Sequence, residues 1–347
     1  MKPRQIRNGK HMRQARGGKR DPSNITDEAL TSLRMRSVIS LQQARKHVIN
    51  MDVGSPRARE AFEYYAMNWN DITHPGIIAL SCEAMGGTSE IAVPLQVATL
   101  LLTAATDIHD DILDQSKTKN GKSTMFGKYG EGLTLLLGDA LLLKGFLLLY
   151  DCARSFSAHT MRKIMFTVEN SFFEFGRAHL FEIDFKQGQV APEKYVRVLE
   201  GKGSTIELCA RLGALAGGAS NAQLDIIGRY GRILGTLIAI REEFIDVFEV
   251  EELRDRIRNN CLPLPIQYAF HNPEMQKLLF DSFSTDPERS TEKIVTTVFA
   301  DENVKKLIMM MEKISQEALN SIDQLKAKRS SKRELRKLIY GTLEGVQ

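Results

Sequence analysis

The sequence predicts an all-α fold, and three observations support this. A polar residue followed by Pro is typical of a helix start, and such pairs occur at Ser55-Pro56, Asn272-Pro273 and Asp286-Pro287. Two apolar segments, residues 91–106 and 132–150, have the length of helices. Alternating apolar and polar residues joined by Asn-Gly turns are scarce, so few strands are expected.

The end of the first apolar helix concentrates negative charge. Asp107, Asp110, Asp111 and Asp114 place four carboxylates within eight residues. On a helix this i, i+3, i+4, i+7 spacing puts them on one face, where like charges repel. A positive partner is therefore expected, and Mg²⁺ suits such oxygen ligands best. The alternative is an ordinary solvated acidic face.

The N-terminal residues differ in composition from the rest of the chain. Residues 1–20 contain eight Lys and Arg and no acid, so they carry a charge of +8 and the remainder carries −4. We expect residues 1–24 to form a basic, disordered tail and residues 25–347 to form one helical domain, since no linker rich in Pro, Gly or Ser divides them. The tail could contact an anionic membrane or, without specificity, nucleic acid, or it could have no partner.

Cysteine usage and hydropathy predict a cytoplasmic protein, which the basic tail could hold at the periphery of the membrane. Four cysteines are scattered along the chain, at Cys82, Cys152, Cys209 and Cys261. This spacing predicts neither a zinc site nor a disulfide framework. In the second apolar segment, Asp139 and Lys144 favour a buried core helix over a membrane span.

The acidic cluster begins a series of motifs that resembles the trans-isoprenyl diphosphate synthases. After DDxxD at residues 110–114 come a polar loop, a Gly-Asp-Ala-Leu helix at residues 138–141, Lys202 with Thr205, and a second acidic stretch within residues 235–246. The likeness covers about residues 27–347. It implies a single-domain helical bundle of the isoprenoid synthase type with a central active-site cavity, usually as a homodimer. The chain also resembles a variant branch of this family, the methanogen prenyltransferases of methanophenazine biosynthesis.

The resemblance also implies how an allylic prenyl diphosphate is bound and activated. Mg²⁺ would bridge the diphosphate and the carboxylates and promote ionisation of the C–O bond. The implied metal ligands are Asp110, Asp114, Glu242 and Asp246, with Asp111 as a weaker or supporting group. Glu242 stands where the family has Asp, so its reach is longer. The implied diphosphate-binding residues are Lys119, Lys202 and Thr205.

The second substrate site of the family, which takes isopentenyl diphosphate, has lost its cations. Where the family has Lys, Arg, Arg and His or Gln, this chain has Asp71, His74, Asn120 and Thr103. Charge-assisted hydrogen bonds contribute about 1.5–3 kcal/mol each, so binding should weaken by orders of magnitude. We therefore expect another, unidentified nucleophilic acceptor, with Asp71 and His74 as candidate general bases. A His beside Pro75 is also common at a helix start without any catalytic role.

Donor length and alternative functions follow from the same resemblance. Ala105 and Thr106, five and four residues before Asp110, are small where bulky aromatics would stop the chain, which implies a prenyl group of geranylgeranyl length or longer. An ordinary chain-elongating synthase is the first alternative, with the missing cations supplied from a region such as residues 326–337. A terpene cyclase and a non-catalytic partner subunit are further alternatives. No specific nucleic-acid partner is expected.

Overall fold

The computed structural model describes residues 25–52, 54–119, 121–185, 191–258, 261–281 and 287–344. The predicted all-α fold is confirmed. The helices are α1 (Ile25–Ile49), α2 (Pro56–Asn68), α3 (Thr73–Ala84), α4 (Ser89–Leu113), α5 (Met125–Tyr129), α6 (Glu131–Asp151), α7 (Ala158–Phe185), α8 (Pro192–Lys202), α9 (Ser204–Ala216), α10 (Asn221–Asp246), α11 (Val250–Arg258), α12 (Leu264–Ala269), α13 (Pro273–Asp281), α14 (Pro287–Ala300), α15 (Glu302–Gln324) and α16 (Arg329–Leu343). The predicted basic tail, residues 1–24, lies outside the described residues.

Local signals at the helix starts explain several boundaries. Ser55 caps α2 by accepting a hydrogen bond from the Ala58 amide, and Pro56 occupies the first turn. Pro273 and Pro287 likewise begin α13 and α14. These three prolines confirm the helix starts expected from the sequence.

One short hairpin was not expected. Strands β1 (Thr118–Lys119) and β2 (Lys122–Ser123) pair in antiparallel register, and Gly121 in the turn between them has a φ of +70°. The sequence there is Asn120-Gly121, a typical hairpin turn, although residue 120 lies outside the described residues. Sequence reasoning missed this hairpin because its strands are too short to show an alternating pattern.

The core forms where the long helices cross. α4 packs most extensively on α6, and α9 packs on α3 and α10. The α3–α9 crossing is so close that a Cβ at Gly213 would collide with the Ile78 carbonyl oxygen. Each fully buried Leu or Ile in these contacts stabilises the fold by about 1.5–3 kcal/mol relative to an exposed one. The crossings therefore fix α4 and α10, whose C-terminal ends carry the acidic motifs.

Two of the described helical segments are long and apolar enough to cross a membrane, judged by length and composition alone. In α4, 72% of the most apolar window is buried inside the fold, as expected of a core helix. In Glu131–Arg154, which comprises α6 and a short 3-10 turn, only 33% is buried. Leu136, Leu143 and Leu147 are more than half exposed. The prediction of a buried core helix at residues 132–150 was therefore wrong for its outer face, which this chain leaves uncovered.

Candidate functional site

The two acidic motifs lie at the C-terminal ends of two core helices. α4 ends within the first motif, with Asp114 as its C-cap and Gln115 in the left-handed region at a φ of +56°. α10 ends at Asp246. Neither helix has a basic residue in its last turn. Because a helix C-terminus is itself partly negative, each carboxylate there is destabilised by about 0.3–1 kcal/mol, so both ends require a cation from elsewhere.

A cleft separates these two helix ends. Asp107 on α4 and Glu242 on α10 keep solvent-exposed surface, yet the protein that surrounds them raises the pKa of each. Asp107 also raises the pKa of Glu242. The C-terminal ends of α4 and α10, which form the two walls of the cleft, therefore lie within electrostatic reach of each other. Burial would lower the pKa of Lys119 on β1, but Asp107 and Asp111 raise it above its ordinary value. Burial, with the neighbouring carboxylates, raises the pKa of Asp111 to about 7 against the opposing effect of Lys119.

The predicted residues Asp110 and Lys202 meet through two side chains that sequence reasoning missed. Asp110, His179, Glu182 and Lys202 form what we call the Lys202 cluster. Lys202 Nζ lies 2.7 Å from Glu182 Oε2, and His179 Nδ1 lies 3.1 Å from Asp110 Oδ1 and 3.7 Å from Glu182 Oε2. A buried Lys requires an acidic partner, which is the signal that could have pointed to Glu182.

The charges of the Lys202 cluster keep Asp110 and Lys202 ionised. Burial would raise the pKa of Asp110, but His179 and the charge of Lys202 lower it to about 2. Burial would likewise lower the pKa of Lys202, but Glu182 and Asp110 raise it above its ordinary value. Asp110 is therefore a carboxylate, and Lys202 a cation, throughout the physiological pH range.

The second acidic motif is partly neutralised by an arginine that was not predicted. Arg256 Nη2 lies 2.9 Å from Glu243 Oε2, and Arg256 Nη1 lies 2.5 Å from Asp246 Oδ2. Buried Glu243 also accepts hydrogen bonds from the Leu264 amide and from the Tyr195 hydroxyl, at 2.8 and 3.2 Å. Burial raises the pKa of Asp246 to about 7, although Arg256 opposes this shift. Glu242 is thus the more accessible carboxylate of this wall, whereas Asp246 is already paired through one oxygen.

Asp71 and His74 form a second group, the Asp71–His74 pair, at the start of α3. Asp71 Oδ2 lies 2.7 Å from His74 Nδ1, and Asp71 Oδ1 accepts hydrogen bonds from the amides of Thr73 and His74. Burial opposes ionisation of both groups, yet their attraction lowers the pKa of Asp71 and raises that of His74. Asp107 and Glu242 also raise the pKa of His74, so the pair adjoins the same cleft.

An aromatic side chain that was not predicted adjoins this pair. Burial raises the pKa of the Tyr65 phenol, and Asp107 and Asp71 raise it further. The Tyr65 ring packs against the Trp69 ring with centroids 5.3 Å apart. Trp69 itself is only 6% exposed and belongs to a buried apolar cluster, so it packs in the core beside Tyr65.

The remaining predicted residues contribute less. The Thr103 and Thr106 hydroxyls donate to carbonyls of their own helix, and the Thr205 hydroxyl donates to the Lys202 carbonyl at 3.3 Å. Ala105 has no exposed surface, so the structure does not support its predicted position on an open prenyl pocket, whereas Thr106 is half-buried. Asn120 lies outside the described residues.

The donor set determines which metal could bind. Among the described residues, no group of three or more His, Cys, Asp or Glu side chains converges tightly enough to form a metal site by itself. Carboxylates from two walls instead leave room for water and substrate oxygens. This arrangement fits Mg²⁺, which commonly uses one or two carboxylates together with phosphate oxygens. Asp110, Asp114, Glu242 and Asp246 are the residues that could supply the protein oxygens.

Three surface grooves, of about 370, 500 and 610 Å³, lie away from this cleft and are not lined by predicted site residues. In the groove between α7, α9 and α10, Arg232 pairs with Glu174 and Glu207, at 2.5 and 2.7 Å, and Arg211 pairs with Glu207 at 2.6 Å. Since these charges already neutralise one another, that groove is a poor site for an anionic ligand.

Comparison with known proteins agrees with the motifs. The sequence profile of the polyprenyl synthetase family matches residues 56–300. A geranylgeranyl diphosphate synthase of Methanosarcina mazei is 28% identical over 190 residues, 54% of this chain and 58% of the relative. A short chain isoprenyl diphosphate synthase of Methanothermobacter thermautotrophicus is 22% identical over 78% of this chain and 79% of its own length. The matched part thus spans less than two thirds of the Methanosarcina relative.

Solved structures share the fold. The geranylgeranyl pyrophosphate synthetase of Pyrococcus horikoshii superimposes with a TM-score of 0.78 at 20% identity, over 92% of this chain and 98% of that one. A polyprenyl synthase of Caulobacter crescentus, complexed with calcium and isoprenyl diphosphate, gives 0.78 at 15% identity, over 94% and 99%. At these identities the likeness establishes the fold alone.

Proposed function

Because the chain belongs to the polyprenyl synthetase family, we propose that it is a Mg²⁺-dependent prenyltransferase acting on a long-chain allylic prenyl diphosphate, with an acceptor other than isopentenyl diphosphate. The observation that carries this proposal is the division of the cleft. The Lys202 cluster provides ionised groups suited to a diphosphate, whereas the Asp71–His74 pair stands where the family has two cations.

The first half of the reaction concerns the donor. Bound Mg²⁺ would supply Lewis-acid stabilisation of the leaving diphosphate. Lys119 and Lys202 would contribute charge-assisted hydrogen bonds to its oxygens. Glu182 holds Lys202 through the 2.7 Å ion pair, which would keep the ammonium near Asp110. The C–O bond then breaks with its electron pair on the diphosphate, which leaves an allylic cation.

The second half of the reaction concerns the acceptor. A second diphosphate would meet Asp71, Asp107 and Glu242, and this repulsion favours an acceptor that carries no negative charge. With the Nδ1 proton of His74 directed to Asp71, Nε2 is free to take the proton from an acceptor hydroxyl as its oxygen bonds to the prenyl carbon. Asp71 stabilises the resulting imidazolium. Tyr65 supplies an aromatic surface beside the pair.

Chain elongation is the second candidate function, because relatives of this chain are named geranylgeranyl diphosphate synthases. It requires a cationic site for isopentenyl diphosphate that residues 71, 74 and 103 do not provide. One assay separates the two functions: full-length protein, Mg²⁺ and labelled geranylgeranyl diphosphate, with and without isopentenyl diphosphate. We expect slow, Mg²⁺-dependent diphosphate release with no longer prenyl product. Chain growth would establish a standard synthase and reject the altered acceptor.

We also propose that the uncovered face of α6 and the adjoining α7 form a homodimer interface. Leu136, Leu143 and Leu147 on α6, with Phe166 and Phe173 on α7, are exposed apolar side chains. An apolar face of this kind is typical of obligate interfaces. Light scattering should give twice the monomer mass for the native chain and a lower mass for Leu143→Lys, Leu147→Lys. A native monomer would contradict the proposal.

A further inference from the structure

The outer face of α1 combines exposed apolar side chains with an absence of acids. Met35, Val38 and Ile39 are 73%, 45% and 54% exposed on adjacent turns. Residues 29–51 contain four Lys and Arg and no Asp or Glu. Arg34 and Lys46 are exposed on the same helix. Thr31, Gln42 and Gln43 are exposed beside them and carry no charge. Exposed apolar side chains together with basic ones are typical of helices that lie in a membrane interface.

A second acid-poor region lies beside α1. Residues 326–337, at the start of α16, contain seven Lys and Arg and one acid. Lys326, Lys328 and Arg329 are exposed and form no ion pair among the described residues. Lys328 and Arg329 also begin α16, whose N-terminal amides add further positive charge.

Contacts along the two helices place these regions side by side. α1 and α16 run antiparallel, since Thr26 Oγ1 donates to the Gly341 carbonyl at 3.2 Å and Lys337 Nζ lies 2.9 Å from Glu28 Oε2. Further along, Glu334 interacts with Ser32. The next turns of α1, with Met35 and its exposed neighbours, therefore lie level with the basic start of α16.

We propose that this α1–α16 surface, formed by Met35, Val38, Ile39, Lys328 and Arg329 with the basic residues around them, docks the protein on an anionic lipid bilayer. The basic groups match anionic headgroups, and the apolar side chains insert between them. Nucleic acid would satisfy the charges but not the exposed apolar side chains. Residues 1–20, which precede α1 in the sequence and carry +8, add attraction to the same kind of membrane.

Vesicle co-sedimentation of the full-length chain tests the proposal. We expect binding to vesicles in which phosphatidylglycerol replaces part of the phosphatidylcholine, weaker binding at high salt, and little binding to phosphatidylcholine alone. Since each basic residue near such a surface contributes about 1 kcal/mol, Lys328→Glu with Arg329→Glu should weaken binding by at least about thirtyfold. Met35→Ser with Ile39→Ser should weaken it by about tenfold, because their apolar surface is no longer buried.

Matched variants distinguish this surface from net charge. Lys293→Glu with Lys306→Glu makes the same charge change at two exposed lysines on α14 and α15, so binding should fall much less. Neither pair of charge reversals touches the cleft, and Mg²⁺-dependent diphosphate release should stay at the native level. Near-native vesicle binding by both docking variants would assign binding to residues 1–20 and overturn the proposal.

Two other outcomes would also reject this surface. A change from dimer to monomer in Met35→Ser, Ile39→Ser would identify a protein interface. Loss of oligonucleotide binding in the Lys328→Glu, Arg329→Glu variant, without any vesicle binding by the native chain, would identify a nucleic-acid surface.

Discussion

The Lys202 cluster and the Asp71–His74 pair adjoin one cleft but balance their charges differently. In and beside the cluster, four carboxylates face two lysines: Asp110 and Glu182 lie near Lys202, and Asp107 and Asp111 lie near Lys119. His179 contacts Asp110 and Glu182 as well. The Asp71–His74 pair, by contrast, is neutral as a unit when the imidazole is protonated. The excess negative charge of the first group requires an additional cation. The second group needs no additional cation, because His74 balances the charge of Asp71 once it has accepted a proton.

This difference explains why similar residue types have different proposed roles. A carboxylate with a pKa of about 2 remains charged, so Asp110 is suited to a metal ion rather than to proton transfer. Burial would lower the pKa of His74, but Asp71 raises it, so the neutral imidazole is a stronger base toward an acceptor proton than an isolated one. If this comparison is right, charge removal in the Lys202 cluster should impair ionisation of the donor. Charge removal in the Asp71–His74 pair should instead change how the acceptor reacts.

The largest effect is expected for Asp110→Asn. Its carboxylate lies 3.1 Å from His179 and within the field of Lys202, and the amide cannot replace the charge that a metal requires. Diphosphate release should fall by about a hundredfold to a thousandfold, the size associated with loss of one electrostatic stabiliser. Asp151→Asn, at an exposed position at the end of α6, is the control and should retain native activity. Equal activities in the two variants would remove Asp110 from the site.

A smaller loss is expected for Lys202→Gln. Losing a charge-assisted contact of about 1.5–3 kcal/mol should weaken donor binding by about tenfold to a hundredfold. Glu182→Gln leaves the lysine in place but removes its 2.7 Å partner, so KM for the donor should rise less. If both variants changed only the unfolding temperature, and by similar amounts, the ion pair would be purely structural.

Sequence reasoning succeeded where interactions are local and failed where they depend on packing. The fold class and the acidic face were predictable because their signals are local. Each of the prolines at positions 56, 273 and 287 begins its own helix, and the i, i+3, i+4 spacing of the first motif lies on a single helix. His179, on α7, and Arg256, on α11, reach their partners only after distant helices pack, and no spacing in the sequence reports that. For the same reason, the exposure of α6 and the burial of Ala105 were not predictable.

Cations can be restored at the Asp71–His74 pair, which we propose serves the acceptor. Asp71→Lys with His74→Arg changes the local charge at the start of α3 and recreates the family's pattern of basic residues. We expect this variant to extend geranylgeranyl diphosphate with isopentenyl diphosphate, slowly but at least about tenfold above the native background, by the gain of one or two charge-assisted hydrogen bonds. Product chain length is measured by chromatography. Asp71→Asn with His74→Gln, which removes the pair without adding charge, should show no growth; growth in both would mean that acceptor choice depends on space rather than charge.

The smallest effect concerns stability and the excess charge of α4. Because burial raises the pKa of Asp111 from 3.8 to about 7, the folded protein retains a proton that the unfolded chain has released between these values. The free energy of unfolding of the native chain therefore falls as the pH rises from 3.8 to about 7. Asp111→Asn has no carboxyl group to titrate there and avoids this loss. In metal-free buffer, the variant should unfold a few degrees above the native chain at about pH 8 and show a much smaller gain at about pH 5. Asp151→Asn, which removes an exposed carboxylate, is the control in the same scans. If the gain in unfolding temperature were the same at acid pH, the asparagine would stabilise α4 for a reason other than removal of the Asp111 charge.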